Sequence, residues 1–173
     1  KRCLGVFAAA VLLLATPADA RRVKRGGAKN PVRQAACVAE CDTVRNLIYM
    51  IGDGMGLAHV TMLQIAEGYD NPVSFMRAEN VALIKSYSRN NRVTDSAAAG
   101  TALATGHKTN NSMLGVLPDS TAVESMMAKA VRRGMATGLV VTCYLPHATP
   151  GAFYAHQVYR RTLEPIAEQL VES

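Results

Sequence analysis

The sequence lacks a hydrophobic run long enough to cross a membrane as a helix. Its uncharged stretch near the N-terminus extends from Cys3 to Ala15, whereas a transmembrane helix needs roughly 20 apolar residues. The stretch follows Lys1-Arg2 and precedes Ala18-Asp19-Ala20, an order typical of a secretory signal peptide with its cleavage site. We therefore expect residues 1–20 to be a signal peptide and the protein to be periplasmic or secreted, with no membrane contact after cleavage.

Acidic residues are absent from residues 21–33, which hold six basic side chains. From residue 34 onward the chain has 11 basic and 12 acidic side chains, a net charge of −1. A domain that binds nucleic acid would carry its positive charge on the folded body, so no nucleic-acid partner is expected. Residues 21–44 are instead predicted to be a basic leader or linker, and residues 45–173 to be the folded domain.

Cysteine is scarce, and only Cys37, Cys41 and Cys143 follow the predicted signal peptide. A zinc site at Cys37 and Cys41 would lack a second pair of ligands. Export would instead permit a disulfide between these two cysteines, or between one of them and a cysteine beyond Ser173. Cys143 lies in an apolar run and is predicted to be a small core residue.

From residue 45 onward, short apolar runs alternate with segments of helical pattern. Three such runs, each typical of a buried strand, occur at residues 47–51, 81–87 and 138–145. Helices are predicted at residues 57–67, 96–105 and 121–133, followed by Gly68, Gly106 and Gly134. The repeated order of strand, loop and helix indicates an α/β fold with a parallel sheet.

Capping patterns predict the starts of two helices. Thr121 and Glu124 have the spacing of a capping box at the start of the third helix. Thr149 and Pro150 have the order of an N-cap followed by the first residue of a fourth helix.

A polar group follows each predicted strand. Asp53 comes after the first strand, Asp95-Ser96 after the second, and His147 with Thr149 after the third. Because ligands bind beyond the carboxyl ends of parallel strands, these groups are expected to converge at one edge of the sheet.

Asp53 lies within Gly52-Asp53-Gly54-Met55-Gly56, a segment with the glycines of a phosphate-binding loop and without their spacing. A dinucleotide loop requires G-x-G-x-x-G, and the carboxylate would repel a pyrophosphate. An acidic loop flanked by glycines is suited to a cation. A tight turn with a solvated aspartate fits the local pattern equally well.

Ser96 stands at the start of a predicted helix, where a simple N-cap is one interpretation. The same position faces the unpaired amides and the dipole that attract an anion. No histidine lies close to Ser96 in the sequence to act as its base, so coordination to a metal is the expected means of activating its hydroxyl.

Three segments resemble one enzyme family. Val93-Thr94-Asp95-Ser96-Ala97-Ala98-Ala99-Gly100-Thr101 fits the pattern around the nucleophilic serine of alkaline phosphatases. The segment from Tyr49 to Gly56 resembles that family's first metal-binding segment, and His147-Ala148-Thr149-Pro150, with the following Tyr154 to Arg160, resembles its next block. Three matches in order, over residues 46–160, imply a parallel-sheet sandwich of the alkaline phosphatase type, incomplete in these 173 residues.

The resemblance implies a metal site that holds zinc and magnesium. Ser96 would be the nucleophile and a zinc ligand, Asp53 would bridge zinc and magnesium, and Thr149 would bind magnesium through its hydroxyl. His147 departs from the pattern, since some relatives carry aspartate there, also near the magnesium. A neutral imidazole in place of a carboxylate should weaken or alter that site.

The resemblance also implies how substrate is held and converted. Arg160 would bind two phosphoryl oxygens in a bidentate manner, steadied by Asp95. Phosphomonoesters would be hydrolysed in two in-line displacements through a phosphoserine at Ser96, with zinc activating first the serine and then a water. Family members supply most zinc ligands from later segments, so these residues alone are expected to be inactive, and a homodimer is expected for the complete enzyme.

Two alternatives accompany this hypothesis. A sulfatase or phosphodiesterase of the same superfamily would use a nucleophile in different surroundings, and the Asp-Ser-Ala-Ala context argues against it. A non-catalytic remnant that binds phosphate or metal would show stoichiometric binding without turnover.

Overall fold

The computed structural model describes the backbone of residues 11–14, and residues 46–71 and 73–173. Contacts divide the chain into two units, Val11–Ile51 and a second that contains Gly52–Ser173. Apart from that short backbone stretch, the predicted signal peptide and leader lie outside the described residues, as do Cys37 and Cys41. No helix in the described part is long and apolar enough to span a membrane.

The first unit contains a two-stranded sheet of β1 (Val11–Leu14) and β2 (Ile48–Ile51). The strands are antiparallel, with Val11 opposite Ile51 and Leu14 opposite Ile48. The strand predicted at residues 47–51 is therefore confirmed. The expectation that it is buried on both faces is wrong, because exposed and half-buried residues alternate along β2.

The helices of the second unit, within its described residues, are α1 (Leu57–Glu67), a 3-10 turn (Ser74–Arg77), α2 (Ser96–Thr105), α3 (Met126–Arg132), α4 (Ala148–Gly151) and α5 (Leu163–Glu172). The predictions for α1 and α2 are confirmed. Gly68 and Gly106 end them with positive φ angles of 87° and 79°, a backbone conformation that glycine adopts without steric cost.

The helix predicted at residues 121–133 begins later than expected, so the predicted capping box is wrong. Ser125 caps α3 by accepting a hydrogen bond from the Ala128 amide, and Glu124 pairs with Arg132 at 2.6 Å. The preceding residues are held in extended pairing, since Ala122 bridges to Val116. This pairing uses backbone that a helix from residue 121 would need.

The predicted start of the fourth helix is also wrong. His147 is the N-cap of α4, so Thr149 and Pro150 are its second and third residues. Proline is tolerated there because the first four amides of a helix have no partner within it. The Thr149 hydroxyl is consequently not a cap and donates to Asp53 instead.

The predicted parallel sheet is absent from the described residues. Residues 81–87 and 138–145 form no strand, and Leu83 and Val140 are fully solvent-exposed, at 98% and 101%. A strand needs a hydrogen-bonded neighbour, and a parallel sheet is covered on both faces. Within the described residues, neither segment has a neighbouring strand or a covering layer. Cys143 is exposed as well, so its predicted core position is wrong.

The core of the second unit lies where α2 packs against α4. Its members are mostly small: Ala97, Leu114, Ala148, Ala152, Tyr154, Ala155 and Ile166. Gly100 allows the two helices to approach closely, since a Cβ at this position would lie 3.1 Å from the Cβ of Ala152. Close packing of this kind leaves little room for larger side chains.

Thr101 attaches a neighbouring loop to α2. Its fully buried hydroxyl donates to the Met113 carbonyl at 3.2 Å and accepts from the Gly115 amide at 2.9 Å. Both backbone groups would be left without partners if this hydroxyl were removed, because the site is closed to water.

Replacing Thr101 by valine should lower the free energy of unfolding by about 1–3 kcal/mol, the cost of leaving a buried donor and acceptor unpaired. Thr109→Val is the matched control, because Thr109 is equally buried and its hydroxyl donates to the Met113 sulfur at 3.3 Å, a weak acceptor. Urea unfolding measures the difference. Equal losses in the two variants would contradict the role assigned to Thr101.

Candidate active site

The Asp53 carboxylate joins hydroxyl groups from two helices. Ser96 Oγ donates to Asp53 Oδ1 at 3.1 Å, and Thr149 Oγ1 donates to Asp53 Oδ2 at 2.5 Å. Ser96 is the first residue of α2, and Thr149 lies in α4. One residue from each of the three polar groups predicted to converge is therefore found here, brought together by the packing of α2 on α4 rather than at the edge of a described sheet. His147, predicted to lie with Thr149 in the third group, is not hydrogen-bonded to Asp53 in the described residues.

A tight turn presents Asp53. The Met55 amide donates to the Gly52 carbonyl at 3.1 Å, and Gly54 has a φ angle of 71°, in the left-handed region that glycine enters without strain. A Cβ at Gly52 would come within 2.9 Å of the Met55 side chain. The glycines flanking Asp53 thus have a structural role in folding the turn.

Asp95 connects the start of α2 to Arg160. Its Oδ1 caps the helix by accepting from the Ala98 amide at 2.9 Å. Its Oδ2 accepts from the Ser112 amide at 2.9 Å and from Arg160 Nη1 at 3.2 Å. Because Asp95 is the N-cap, the interpretation of Ser96 as a simple cap is wrong, and the Ser96 hydroxyl is available to Asp53.

Arg160 lies in the turn before α5, with its side chain 22% exposed. Its backbone amide donates to the Ser112 carbonyl at 2.8 Å. Among the described residues, Asp95 is the one side chain that engages the guanidinium. Arg161 is exposed and forms no ion pair in the described part. The structure thus distinguishes Arg160 from Arg161, which the local sequence pattern alone could not do.

Asn111 and Ser112 were missed by sequence reasoning, although both contact Asp95. The Asp95 amide donates to Asn111 Oδ1 at 3.1 Å, in addition to the bond from Ser112. The Asn110-Asn111-Ser112 run has the composition of a turn. That composition could have located a loop, and only the folded chain shows which residue the loop contacts.

The alkaline phosphatase family model matches residues 44–172. The chain belongs to the alkaline phosphatase family.

Curated alkaline phosphatases from bacteria and animals match most of this chain. Alkaline phosphatase 4 of Bacillus subtilis is 38% identical over 136 residues, which are 75% of this chain and 30% of that protein. The human tissue-nonspecific isozyme is 35% identical over 136 residues, 69% of this chain and 26% of that protein. The chain thus spans about a third or less of the length of these alkaline phosphatases.

Solved alkaline phosphatases share the fold of the described region and place the chain in the α/β class. The cold-active enzyme from the psychrophile Shewanella sp. has a TM-score of 0.60 at 34% identity, covering 70% of this chain and 32% of that one. A histidine-to-aspartate mutant of the TAB5 alkaline phosphatase, with magnesium bound in its M3 site, has a TM-score of 0.60 at 36% identity, covering 66% and 33%.

The residues around Asp53 fit a divalent cation in ligand type and form part of a coordination shell. One carboxylate and two hydroxyl groups are oxygen donors of the kind that magnesium prefers and that zinc also accepts. The described part of the chain contains no group of three or more histidine, cysteine, aspartate or glutamate side chains that could hold a metal. Further charged ligands would be needed to complete the shell.

His147 is close to this cluster in sequence and makes different contacts. Its ring packs edge-on against Tyr144, with centroids 5.1 Å apart, and no hydrogen bond joins it to Asp53 in the described region. The Tyr154 hydroxyl donates to the Leu145 carbonyl at 2.8 Å and holds the turn that leads to His147. Burial raises the pKa of Tyr154, so this hydroxyl remains a donor at neutral and mildly alkaline pH.

Replacing Asp95 by asparagine should lower the free energy of unfolding by about 1–3 kcal/mol. An amide nitrogen at Oδ2 would face two donors, the Ser112 amide and the Arg160 guanidinium, although partial exposure reduces the ionic share of the loss. Asp119→Asn is the control: Asp119 is exposed and accepts from the Thr121 amide, which asparagine can still do. Unchanged stability of Asp95→Asn in chemical unfolding would show that Asp95 does not join these elements.

Proposed function

We propose that the protein containing this chain hydrolyses phosphomonoesters, with Ser96 as the nucleophile. The observation that carries the proposal is that Ser96 lies next to both the acidic and the basic side chains of the site. The Ser96 hydroxyl donates a hydrogen bond to Asp53, and the preceding residue, Asp95, accepts one from Arg160. Membership of the alkaline phosphatase family supports the same reaction.

The start of α2 offers a place for a phosphoryl group. Asp95 takes the Ala98 amide, while the amides of Ser96 and Ala97 have no protein acceptor within the described residues. Unpaired amides and the helix dipole favour an anion at this end of a helix. Because the Ser96 hydroxyl donates its hydrogen to Asp53, the lone pairs of Oγ are directed away from that carboxylate and can approach phosphorus.

Arg160 would bind the transferring group. Asp95 engages one of the guanidinium nitrogens, which leaves donors of the planar fork for phosphoryl oxygens. The contact with Asp95 orients the arginine before substrate arrives, so less freedom is lost on binding. Arg160 would thereby stabilise the negative charge of the phosphoryl group during displacement.

Asp53, Ser96 and Thr149 would hold zinc and magnesium, with His147 as a further group on the magnesium side. A divalent cation at Asp53 would lower the pKa of the Ser96 hydroxyl and offset charge on the phosphoryl oxygens. Magnesium is bound in the M3 site of the TAB5 mutant, which supports a metal here. Asp53 itself orients the two hydroxyl groups that would share the cation with it.

We also propose where the complete protein is located, how it assembles and how its domain is completed. Residues 1–20 would direct export to the periplasm or the medium, and the complete enzyme would be a homodimer. Its domain would be a parallel-sheet sandwich, in which residues 81–87 and 138–145 gain the strand neighbours and cover that they lack in the described region. Their exposed apolar side chains support this arrangement.

Ser96→Ala should abolish formation of a phosphoenzyme and remove most phosphomonoesterase activity of the whole protein, because no hydroxyl remains to accept the phosphoryl group. Labelling with radioactive phosphate at low pH measures the intermediate. Ser86→Ala is the control, since that serine makes no side-chain hydrogen bond within the described residues. Label retained by Ser96→Ala would disprove the assignment, and Ser86→Ala should keep its label in either case.

Arg160→Ala should raise the inhibition constant for inorganic phosphate roughly ten- to hundredfold, since losing a charge-assisted contact costs about 1.5–3 kcal/mol. The zinc content should be unchanged. Arg161→Ala is the matched control, an adjacent arginine that is exposed and unpaired in the described part. The inhibition constant for phosphate is measured for both variants. An equal increase in the two, or no increase in Arg160→Ala, would show that Arg160 does not bind the phosphoryl oxygens.

A further inference from the structure

Two consecutive residues, Asn111 and Ser112, connect the backbone before the nucleophile to the backbone of Arg160. We propose that they are positioning residues that set the geometry between Ser96 and Arg160 for phosphate binding. The proposal rests on the proposed function of that site. Among the described residues no hydrogen bond joins either residue to Ser96 or to the Arg160 guanidinium, so their action passes through Asp95 and the main chain.

The Asn111 side chain spans the segment that enters α2. Its Oδ1 accepts from the Asp95 amide at 3.1 Å, and its Nδ2 donates to the Val93 carbonyl at 3.1 Å. The side chain therefore replaces backbone pairing for the residues just before Ser96. Its own backbone amide donates to Asn90 Oδ1 at 2.9 Å, which fixes the base from which the side chain extends.

Ser112 joins Asp95 to Arg160 through its main chain. Its amide donates to Asp95 Oδ2 at 2.9 Å, and its carbonyl accepts from the Arg160 amide at 2.8 Å. The φ angle of Ser112 is 75°, in the left-handed region that residues other than glycine seldom adopt. Such a conformation persists only where the surroundings enforce it, and here it aims the two backbone groups at their two partners.

The contact between the Asp95 and Arg160 side chains would not fix the arginine alone. It is a single hydrogen bond of 3.2 Å from one guanidinium nitrogen, so it orients the arginine without holding it as firmly as a bidentate pair would. Four of the hydrogen bonds of Asn111 and Ser112, those to Val93, Asp95 and Arg160, add a main-chain constraint on both sides of it. The distance between Ser96 and Arg160 is thus set by the 111–112 segment as well as by the ion pair.

The test measures orthophosphate binding to the whole protein by equilibrium dialysis, together with kcat and KM. Asn111→Leu removes both side-chain hydrogen bonds at similar volume and should weaken phosphate binding roughly three- to tenfold. Asn110→Leu is the matched control, because the Asn110 side chain makes no hydrogen bond in the described region, and it should change binding less than twofold. Asn111→Asp keeps the acceptor oxygen and should lie between the native protein and Asn111→Leu.

A double-variant cycle separates positioning from a general loss of structure. If Asn111 acts through the arginine, Asn111→Leu should have little further effect on phosphate binding in the Arg160→Ala background. Additive effects of the two substitutions would overturn the proposal, as would equal effects of Asn111→Leu and Asn110→Leu. Should Asn111→Leu fail to fold, the same cycle is run with Asn111→Asp.

The outcomes also distinguish this inference from the proposed function. If Arg160→Ala weakens phosphate binding and Asn111→Leu does not exceed its control, the positioning role alone is wrong. If neither Ser96→Ala nor Arg160→Ala alters phosphate binding or turnover, the phosphatase site itself is wrong and the positioning role falls with it.

Discussion

The carboxylate of Asp95 is the contact on which the site depends. It accepts hydrogen bonds from the first turn of α2, from the loop at Ser112 and from Arg160. Each partner belongs to a different part of the chain, so one side chain links the start of α2 to the arginine. A neutral side chain could cap the helix, but it could not also accept from the two remaining donors.

Small side chains make the second half of the site possible. Gly100 and the alanines of α2 let α4 approach, and this approach carries Thr149 to the same carboxylate that Ser96 contacts. Larger residues on α2 would separate the two hydroxyl groups and divide the oxygen donors around Asp53. The packing of α2 on α4 therefore brings Asp53, Ser96 and Thr149 together, although the described residues contain no parallel sheet.

Sequence patterns predicted the parts of the fold that local interactions determine. The ends of α1 and α2 follow from Gly68 and Gly106, whose backbone conformations stop a helix. The start of α3 could not be predicted in this way, because the pairing of Val116 with Ala122 competes with the capping box. Strand patterns at residues 81–87 and 138–145 report apolar character alone, and a strand also needs partners from elsewhere in the chain.

The contacts within the candidate site agree with the sequence motifs more closely than the surrounding fold agrees with the predicted sheet. The five residues concerned all lie within the range that the family model matches: Asp53, Asp95, Ser96, Thr149 and Arg160. We propose that these side chains act together on one phosphoryl group, and a crystal structure of the whole protein with orthovanadate would show whether they do. We expect vanadate bonded to Ser96 Oγ and held by the Arg160 guanidinium, with Asp95 still bonded to that arginine. Vanadate bound away from Ser96, or an Arg160 side chain turned into solvent, would show that they do not act together.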